Sequence, residues 1–107
     1  MTKPLRVAMI GYGFMGKAHS NAYRKVAHFF PDLEHRPELS VLCARDADKA
    51  AAFARTWGYA SVETDWRAAV TRDDVDLVDI GSPNHTHLEI AVAAAEAGKW
   101  VCLLYTS

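Results

Sequence analysis

The sequence predicts an α/β fold, a doubly wound parallel sheet with helices on both faces. Two observations support this prediction. Short apolar runs of strand length alternate with longer segments in which apolar residues recur every three or four positions, which is the helical period. The first apolar run, residues 5–10, ends directly at a glycine, and a helical segment follows. Successive strand–helix units of this kind pair in parallel through right-handed crossovers.

The individual elements follow from local patterns. Five strands are expected where short apolar runs occur, at residues 5–10, 39–43, 59–62, 75–80 and 100–104. Four helices are expected. The apolar spacing is helical over residues 15–30, capping residues precede 47–57 and 66–71, and residues 84–97 are rich in alanine. Pro31 stops the first helix and opens a polar loop over 31–38. Asp46 is the expected N-cap of the second helix, which Gly58 closes, and Gly98 closes the last.

Composition limits the possible functions. At 107 residues the chain makes at most one domain. A net charge of −1 argues against nucleic acid or an anionic membrane as partner. The run at 5–10 is too short for a signal peptide or a membrane span, so a cytoplasmic location is the default. Cys43 and Cys102 lack the spacing of a zinc site or a disulfide framework, and no metal site is expected.

A glycine-rich loop joins the first strand to the first helix. Gly11, Gly13 and Gly16 form the pattern G-x-G-x-x-G directly after the strand. Gly11 permits a tight turn, Gly13 lets backbone approach a pyrophosphate, and Gly16 lets helix and strand pack closely. The helix N-terminus adds free N–H groups and partial positive charge. This arrangement predicts dinucleotide binding, although flavin domains and some methyltransferases also place such turns here.

The end of the second strand bears on the choice between NAD and NADP. In NAD domains an acidic residue at this place accepts hydrogen bonds from the ribose. Here Ala44 is followed by Arg45 and Asp46. Arg45 could pair with the 2′-phosphate of NADP, or Asp46 could reach the ribose of NAD. Alternatively, Asp46 acts as a helix cap and Arg45 is a solvated surface residue. The pattern favours NADP slightly and leaves NAD open.

A second polar loop follows the fourth strand. It contains Ser82, Pro83 and Asn84 and leads to His87. In a doubly wound sheet the cofactor lies where the strand order reverses, between the first and fourth strands. The loop is therefore expected to face the glycine loop.

The chain resembles the Gfo/Idh/MocA oxidoreductase family. The resemblance rests on the glycine loop with the following Lys17 and His19, on residues 76–87 and on residues 94–101, and it covers residues 6–101. It implies a Rossmann domain of an NAD- or NADP-dependent dehydrogenase or reductase. The partners would be nicotinamide dinucleotide and a sugar, inositol or related polyol. The full-length parent would carry a C-terminal α/β substrate domain and is expected to be a homo-oligomer.

The same resemblance assigns cofactor contacts. Along the pyrophosphate it places Gly11, Gly13, Phe14, Met15 and Gly16. Along the nicotinamide half it places Ser82, Pro83, Asn84 and His87. An alternative for His87 is a purely structural bond to backbone in the first turn of a helix, and His19 is expected to pack rather than to bind.

The end of the sequence departs from the family pattern. In the family the fifth strand continues into Glu-Lys-Pro, whose lysine lies by the nicotinamide, but here Leu104, Tyr105 and Thr106 stand in those places. No catalytic residue is therefore assigned, and the substrate domain is absent. Residues 1–101 are interpreted as a partial, incomplete Rossmann domain. Residues 102–107 can be encoded by TGTCTCTTATACACATCT, a transposon-end adaptor string, so we hypothesise that they are a non-native tail.

Two functions are consistent with this interpretation. In the first, the full-length parent is a dehydrogenase and the present chain alone is inactive. In the second, the chain is a non-catalytic dinucleotide-binding or sensor module.

Overall fold

The computed structural model describes residues 3–11, 14–29, 35–81 and 86–103. Within them the strands are β1 (Lys3–Ile10), β2 (His35–Cys43), β3 (Ser61–Glu63), β4 (Leu77–Ile80) and β5 (Trp100–Leu103). The helices are α1 (Phe14–Phe29), α2 (Ala47–Trp57), α3 (Trp66–Val70) and α4 (His87–Glu96). All strand pairs are parallel, and the order is β3-β2-β1-β4-β5. The predicted α/β class is confirmed, with the strand order reversing between β1 and β4.

Strand β2 is longer than predicted. It begins at His35, so the prediction of a polar loop over 31–38 is wrong for its second half. The parallel ladder with β1 already pairs Arg36 with Pro4 and Glu38 with Arg6. Arg36 and Glu38 are exposed. This part of the strand is held by backbone hydrogen bonds to β1. Its side chains show no apolar pattern from which a strand could be predicted.

Three further strands begin at residues other than those predicted. Strand β1 starts at Lys3 rather than at residue 5. Strand β3 starts at Ser61 because the Tyr59 backbone N–H still donates to Ala54 O at 2.9 Å, which extends the end of α2. Strand β4 starts at Leu77 rather than at residue 75. Helix α4 begins at His87, and the residues 84–85 that were predicted to start it lie outside the described part of the chain.

Helix α2 has the predicted ends. Asp46 has extended backbone angles, and its Oδ1 accepts a hydrogen bond of 3.0 Å from Lys49 N. Gly58 has φ 87°, a left-handed conformation that favours glycine, and its N–H donates to Ala54 O. Both ends of this helix therefore follow from local side-chain and backbone chemistry.

The sheet is buried on both faces. Side chains along a strand alternate between faces, so neighbours such as Ala8 and Met9 enter different cores. One core lies against α3 and α4 and includes Val41, Val78, Ile80, Ile90 and Ala94. The other lies against α2 and includes Leu42, Ala50, Phe53 and Tyr59. This double coverage is typical of parallel sheets.

Among the residues whose burial the structure describes, three large apolar side chains are exposed. Leu88 is 77% exposed and Val92 46% exposed, and these two lie one turn apart on α4. Trp100, in β5, is 60% exposed. In the described part of the chain, no helix combines the length and the apolar character needed to cross a membrane.

Candidate functional site

The two predicted cofactor loops leave the same edge of the sheet. Ile10 ends β1 and pairs directly with Ile80, which ends β4. The Gly11 N–H donates to Cys43 O at 2.8 Å, and the Gly81 N–H donates to Ile10 O at 2.8 Å. Gly11 has φ 92°, so the turn after β1 requires glycine. The first residues of both loops therefore lie side by side at the point where strand order reverses.

The glycine loop leads straight into α1. Phe14, Met15 and Gly16 are the first three residues of that helix, so its free N–H groups are close to the carboxyl end of β1. A helix N-terminus in this place suits a phosphate anion. Gly13 lies outside the described residues, and so do three of the predicted contacts in the second loop, Ser82, Pro83 and Asn84.

His87 is the first residue of α4 and is 7% exposed. The N-cap position before it is Thr86, whose side chain makes no capping hydrogen bond. The second loop thus delivers a buried imidazole to the start of a helix, at the same edge of the sheet as Gly11.

Arg45 and Asp46 lie at this edge as well, beyond the end of β2. Both are exposed. The Ala44 N–H donates to Glu63 O at 3.1 Å, which holds the start of this segment against the end of β3. Asp46 acts as the α2 cap through Oδ1, and this part of the prediction is confirmed.

Asp79, a buried carboxylate, was not among the residues predicted from the sequence. It lies in β4, two residues before Gly81, and is fully buried. Its Oδ2 is 2.7 Å from His19 Nδ1 and accepts a 2.7 Å hydrogen bond from the Tyr23 hydroxyl. Burial, together with this hydrogen bond, raises the pKa of Tyr23 well above its usual range. His19 therefore has a more specific role than the packing role expected of it.

The sequence did contain an indication of this cluster. Asp79 belongs to a strand that is buried on both faces of the sheet. A buried carboxylate needs hydrogen-bond partners. His19 and Tyr23 are four residues apart, on one face of a helix. Neither the register between the first and fourth strands nor the placement of the first helix over them follows from the sequence, so the three residues could not be joined.

A second polar contact also holds α1. Ser20 is fully buried, and its hydroxyl lies 2.8 Å from the hydroxyl of Tyr59, a residue that follows α2 in the chain. Burial raises the pKa of Tyr59 to about 12. Helix α1 is therefore fixed by hydrogen bonds to β4 and to the segment before β3.

A groove lies at the opposite edge of the sheet. Its volume is about 440 Å³, and Arg6, Asp76, Lys99 and Trp100 contribute to its walls. Arg6 Nε and Asp76 Oδ2 form an ion pair of 3.0 Å, which lowers the pKa of the Asp76 carboxyl. This groove is at the amino ends of β1, β4 and β5, away from the glycine loop. Among the described residues no cluster of His, Cys, Asp or Glu could hold a metal ion.

The sequence matches the model of a family described as "Oxidoreductase family, NAD-binding Rossmann fold" over residues 5–103. The chain belongs to this family, Gfo/Idh/MocA. The match spans the five strands and includes both loops at the carboxyl edge of the sheet. The family predicted from the motifs is thereby confirmed.

Several relatives of this Gfo/Idh/MocA chain are dehydrogenases. Levoglucosan dehydrogenase of Pseudarthrobacter phenanthrenivorans is 45% identical over 97 residues, which are 91% of this chain and 25% of that protein. Inositol 2-dehydrogenase of Corynebacterium glutamicum is 34% identical over 101 residues, which cover 92% of this chain and 27% of that protein. A solved structure of levoglucosan dehydrogenase with NADH and L-sorbose superimposes with a TM-score of 0.90, at 44% identity, over 94% of this chain and 27% of that one. The chain thus spans about a quarter of the length of these relatives.

Proposed function

We propose that this chain is the dinucleotide-binding part of an oxidoreductase that transfers hydride between a nicotinamide cofactor and a sugar, inositol or related polyol. The observation that carries the proposal is the position of the α1 N-terminus, directly after the Gly11 turn and beside the end of β4. Dinucleotides bind at this reversal of strand order. The relatives that act on levoglucosan and inositol support the substrate class.

The residues at this edge fit a nicotinamide dinucleotide. Gly11 and Gly13 would let backbone approach the pyrophosphate, and Phe14, Met15 and Gly16 would present N–H groups of the first helical turn to it. Ser82, Pro83, Asn84 and His87 would line the nicotinamide half. The bound nicotinamide supplies or accepts the hydride. The chain's own contribution is to bind and orient the cofactor.

Catalytic turnover requires residues outside the partial Rossmann domain. We assign residues 1–101 to the partial Rossmann domain and residues 102–107 to a non-native tail. Because Tyr105 stands where the family lysine is expected, the 107-residue chain alone is expected to bind cofactor without oxidising substrate. The location proposed for the parent is the cytoplasm, and its proposed state is a homo-oligomer.

Long-read sequencing of the source DNA across codon 101 tests this assignment. A frame that continues into Glu-Lys-Pro and at least one further domain supports the enzyme. A genomic frame that encodes residues 102–107 and then stops contradicts it. In that case a non-catalytic dinucleotide-binding module is the function to test, by NADH binding without turnover.

The cofactor is proposed to be NADP rather than NAD on the strength of Arg45. Its exposed guanidinium follows the end of β2, where a 2′-phosphate would lie, while one oxygen of Asp46 is engaged in the helix cap. Charge-assisted bonds from arginine to phosphate are among the stronger polar contacts. The competing outcome is a preference for NAD, because a solved structure of a relative, levoglucosan dehydrogenase, contains NADH.

Replacing Arg45 with aspartate tests this preference. We expect Arg45→Asp to lower the ratio of NADPH to NADH affinity by about tenfold or more, because a lost charge-assisted bond is worth roughly 1.5–3 kcal/mol. The affinities are measured by nicotinamide fluorescence titration of the full-length protein. Arg55→Asp is the matched control, because Arg55 is an exposed arginine in the last turn of α2. An unchanged ratio in Arg45→Asp contradicts the assignment.

A further inference from the structure

Helix α1 is attached to the sheet by polar contacts as well as by packing. The imidazole of His19 and the hydroxyl of Tyr23 both reach one oxygen of Asp79, each at 2.7 Å. Asp79 is fully buried, and the side chain of His19 is 17% exposed. These contacts therefore lie in a region of low dielectric constant, where hydrogen bonds to a charged group are strong and directional.

Stability alone does not explain a carboxylate at this position. Both hydrogen bonds converge on Oδ2, and Oδ1 of Asp79 receives no hydrogen bond within the described part of the chain. A buried polar atom without a partner destabilises the fold. Apolar residues that replace a buried ionic group are often neutral or stabilising. The neighbouring strand position in β1, Met9, shows that this layer accepts an apolar side chain.

The contacts do fix a geometric quantity, the position of α1 along its own axis. Apolar side chains allow a helix to shift by fractions of its 1.5 Å rise per residue, whereas two directional bonds to one atom do not. His19 is five residues from Phe14, about 7.5 Å from the N-terminus of α1. Asp79 is two residues from Gly81, where the second loop starts. One carboxylate thus links the helix that carries the first loop to the strand that leads into the second.

We propose that Asp79, His19 and Tyr23 are positioning residues, which hold the N-terminus of α1 at the distance from the end of β4 that dinucleotide binding requires. This proposal rests on the proposed function. The three residues act through the backbone of the two loops. A displacement of about 1 Å at a binding site is enough to reduce affinity or rate severely.

A set of apolar replacements separates positioning from stability. The variant His19→Leu, Tyr23→Phe and Asp79→Leu removes the buried carboxylate together with its partners in the full-length protein. We expect its melting temperature to stay equal to or above that of the unsubstituted protein and its Kd for NADH to rise about tenfold. A purely structural cluster predicts the opposite, a lower melting temperature and an unchanged Kd of the folded protein. That result would overturn the proposal.

A conservative pair covers the case in which the triple variant does not fold. Asparagine can place an amide N–H where His19 Nδ1 lies, whereas leucine cannot donate. His19→Asn should therefore keep the NADH Kd within about twofold of the original, while His19→Leu should weaken it. Equal Kd values for His19→Asn and His19→Leu would overturn the proposal.

The control pair lies at the opposite end of β1 and β4. Arg6→Met with Asp76→Asn removes the ion pair near the amino ends of these strands, and it should leave the NADH Kd unchanged. If this Kd rose as much as in the triple variant, the loss of any polar contact would weaken binding. That result contradicts a specific role for Asp79. If the unsubstituted full-length protein binds neither NADPH nor NADH, the proposed function itself fails, and this proposal fails with it.

Discussion

Cys43 and Cys102 are shielded from reaction by their surroundings in the sheet. Burial is the largest cause in both cases: it raises the pKa of the Cys43 thiol to about 12, and burial with the nearby Asp79 charge raises that of Cys102. The thiolate is the nucleophilic form of cysteine. At neutral pH both residues are therefore protonated, and their part in the fold is that of apolar side chains.

Alkylation of the 107-residue chain with iodoacetamide at pH 7.5 measures this protection. We expect Cys43 in a Cys102→Ala variant to react at a rate set by unfolding, and to react as fast as free cysteine in denaturant. Cys102 in a Cys43→Ala variant should react sooner, since its side chain is partly exposed, but more slowly than free cysteine. Mass spectrometry follows both reactions. Fast labelling of Cys43 in the native protein would contradict the burial of this side chain in β2.

The place of the glycine turn could be predicted from the sequence, whereas the contact between His19 and Asp79 could not. The G-x-G-x-x-G spacing fixed the place of Gly11 because a turn between a strand and a helix is a local feature. Asp79 and His19 are 60 residues apart, and their contact depends on β4 lying next to β1, under α1. No local pattern encodes that distance, so His19 was expected to be a packing residue.

At the scale of single elements, helix ends were predicted well and strand starts poorly. Asp46 and Gly58 end α2 through contacts within a few residues, and the sequence shows such residues directly. The first residues of β2 are polar and exposed, and they are held by a ladder to β1 that the sequence does not show. The predicted strand therefore began at residue 39, four residues late.

Substitutions at the two ends of α2 test the local account. Asp46→Ala should lower the free energy of unfolding by about 1 kcal/mol, because Lys49 N loses its acceptor. Asp46→Asn keeps a capping oxygen and should be nearly neutral. Gly58→Ala should cost about 1–2 kcal/mol, since φ 87° is strained for alanine even though its Cβ would meet no neighbour. Urea unfolding of the full-length protein measures all three. Equal stability of Asp46→Ala and Asp46→Asn would contradict the capping role.

For the whole molecule, the alternation of strands and helices predicted the parallel sheet and the place where its order reverses. Of the described helices the last, α4, carries large apolar side chains that are exposed. The structure places Leu88 and Val92 together on that helix with much of their surface in solvent, and Trp100 is exposed on β5. Strand β5 is an edge of the described sheet. Exposed apolar side chains near a sheet edge favour association.

We therefore expect the 107-residue chain, expressed alone, to self-associate as its concentration rises. Replacing Leu88 and Val92 with lysine should shift the molecular mass measured by light scattering towards the monomer, because the apolar contact area is lost and charge is gained. Ala52→Lys with Thr56→Lys is the matched control, since both residues are exposed one turn apart on α2 and the added charge is the same. If the control restores the monomer equally well, net charge rather than the α4 face governs association. A monomer that melts cooperatively and independently of concentration would show that this face is tolerated in solvent.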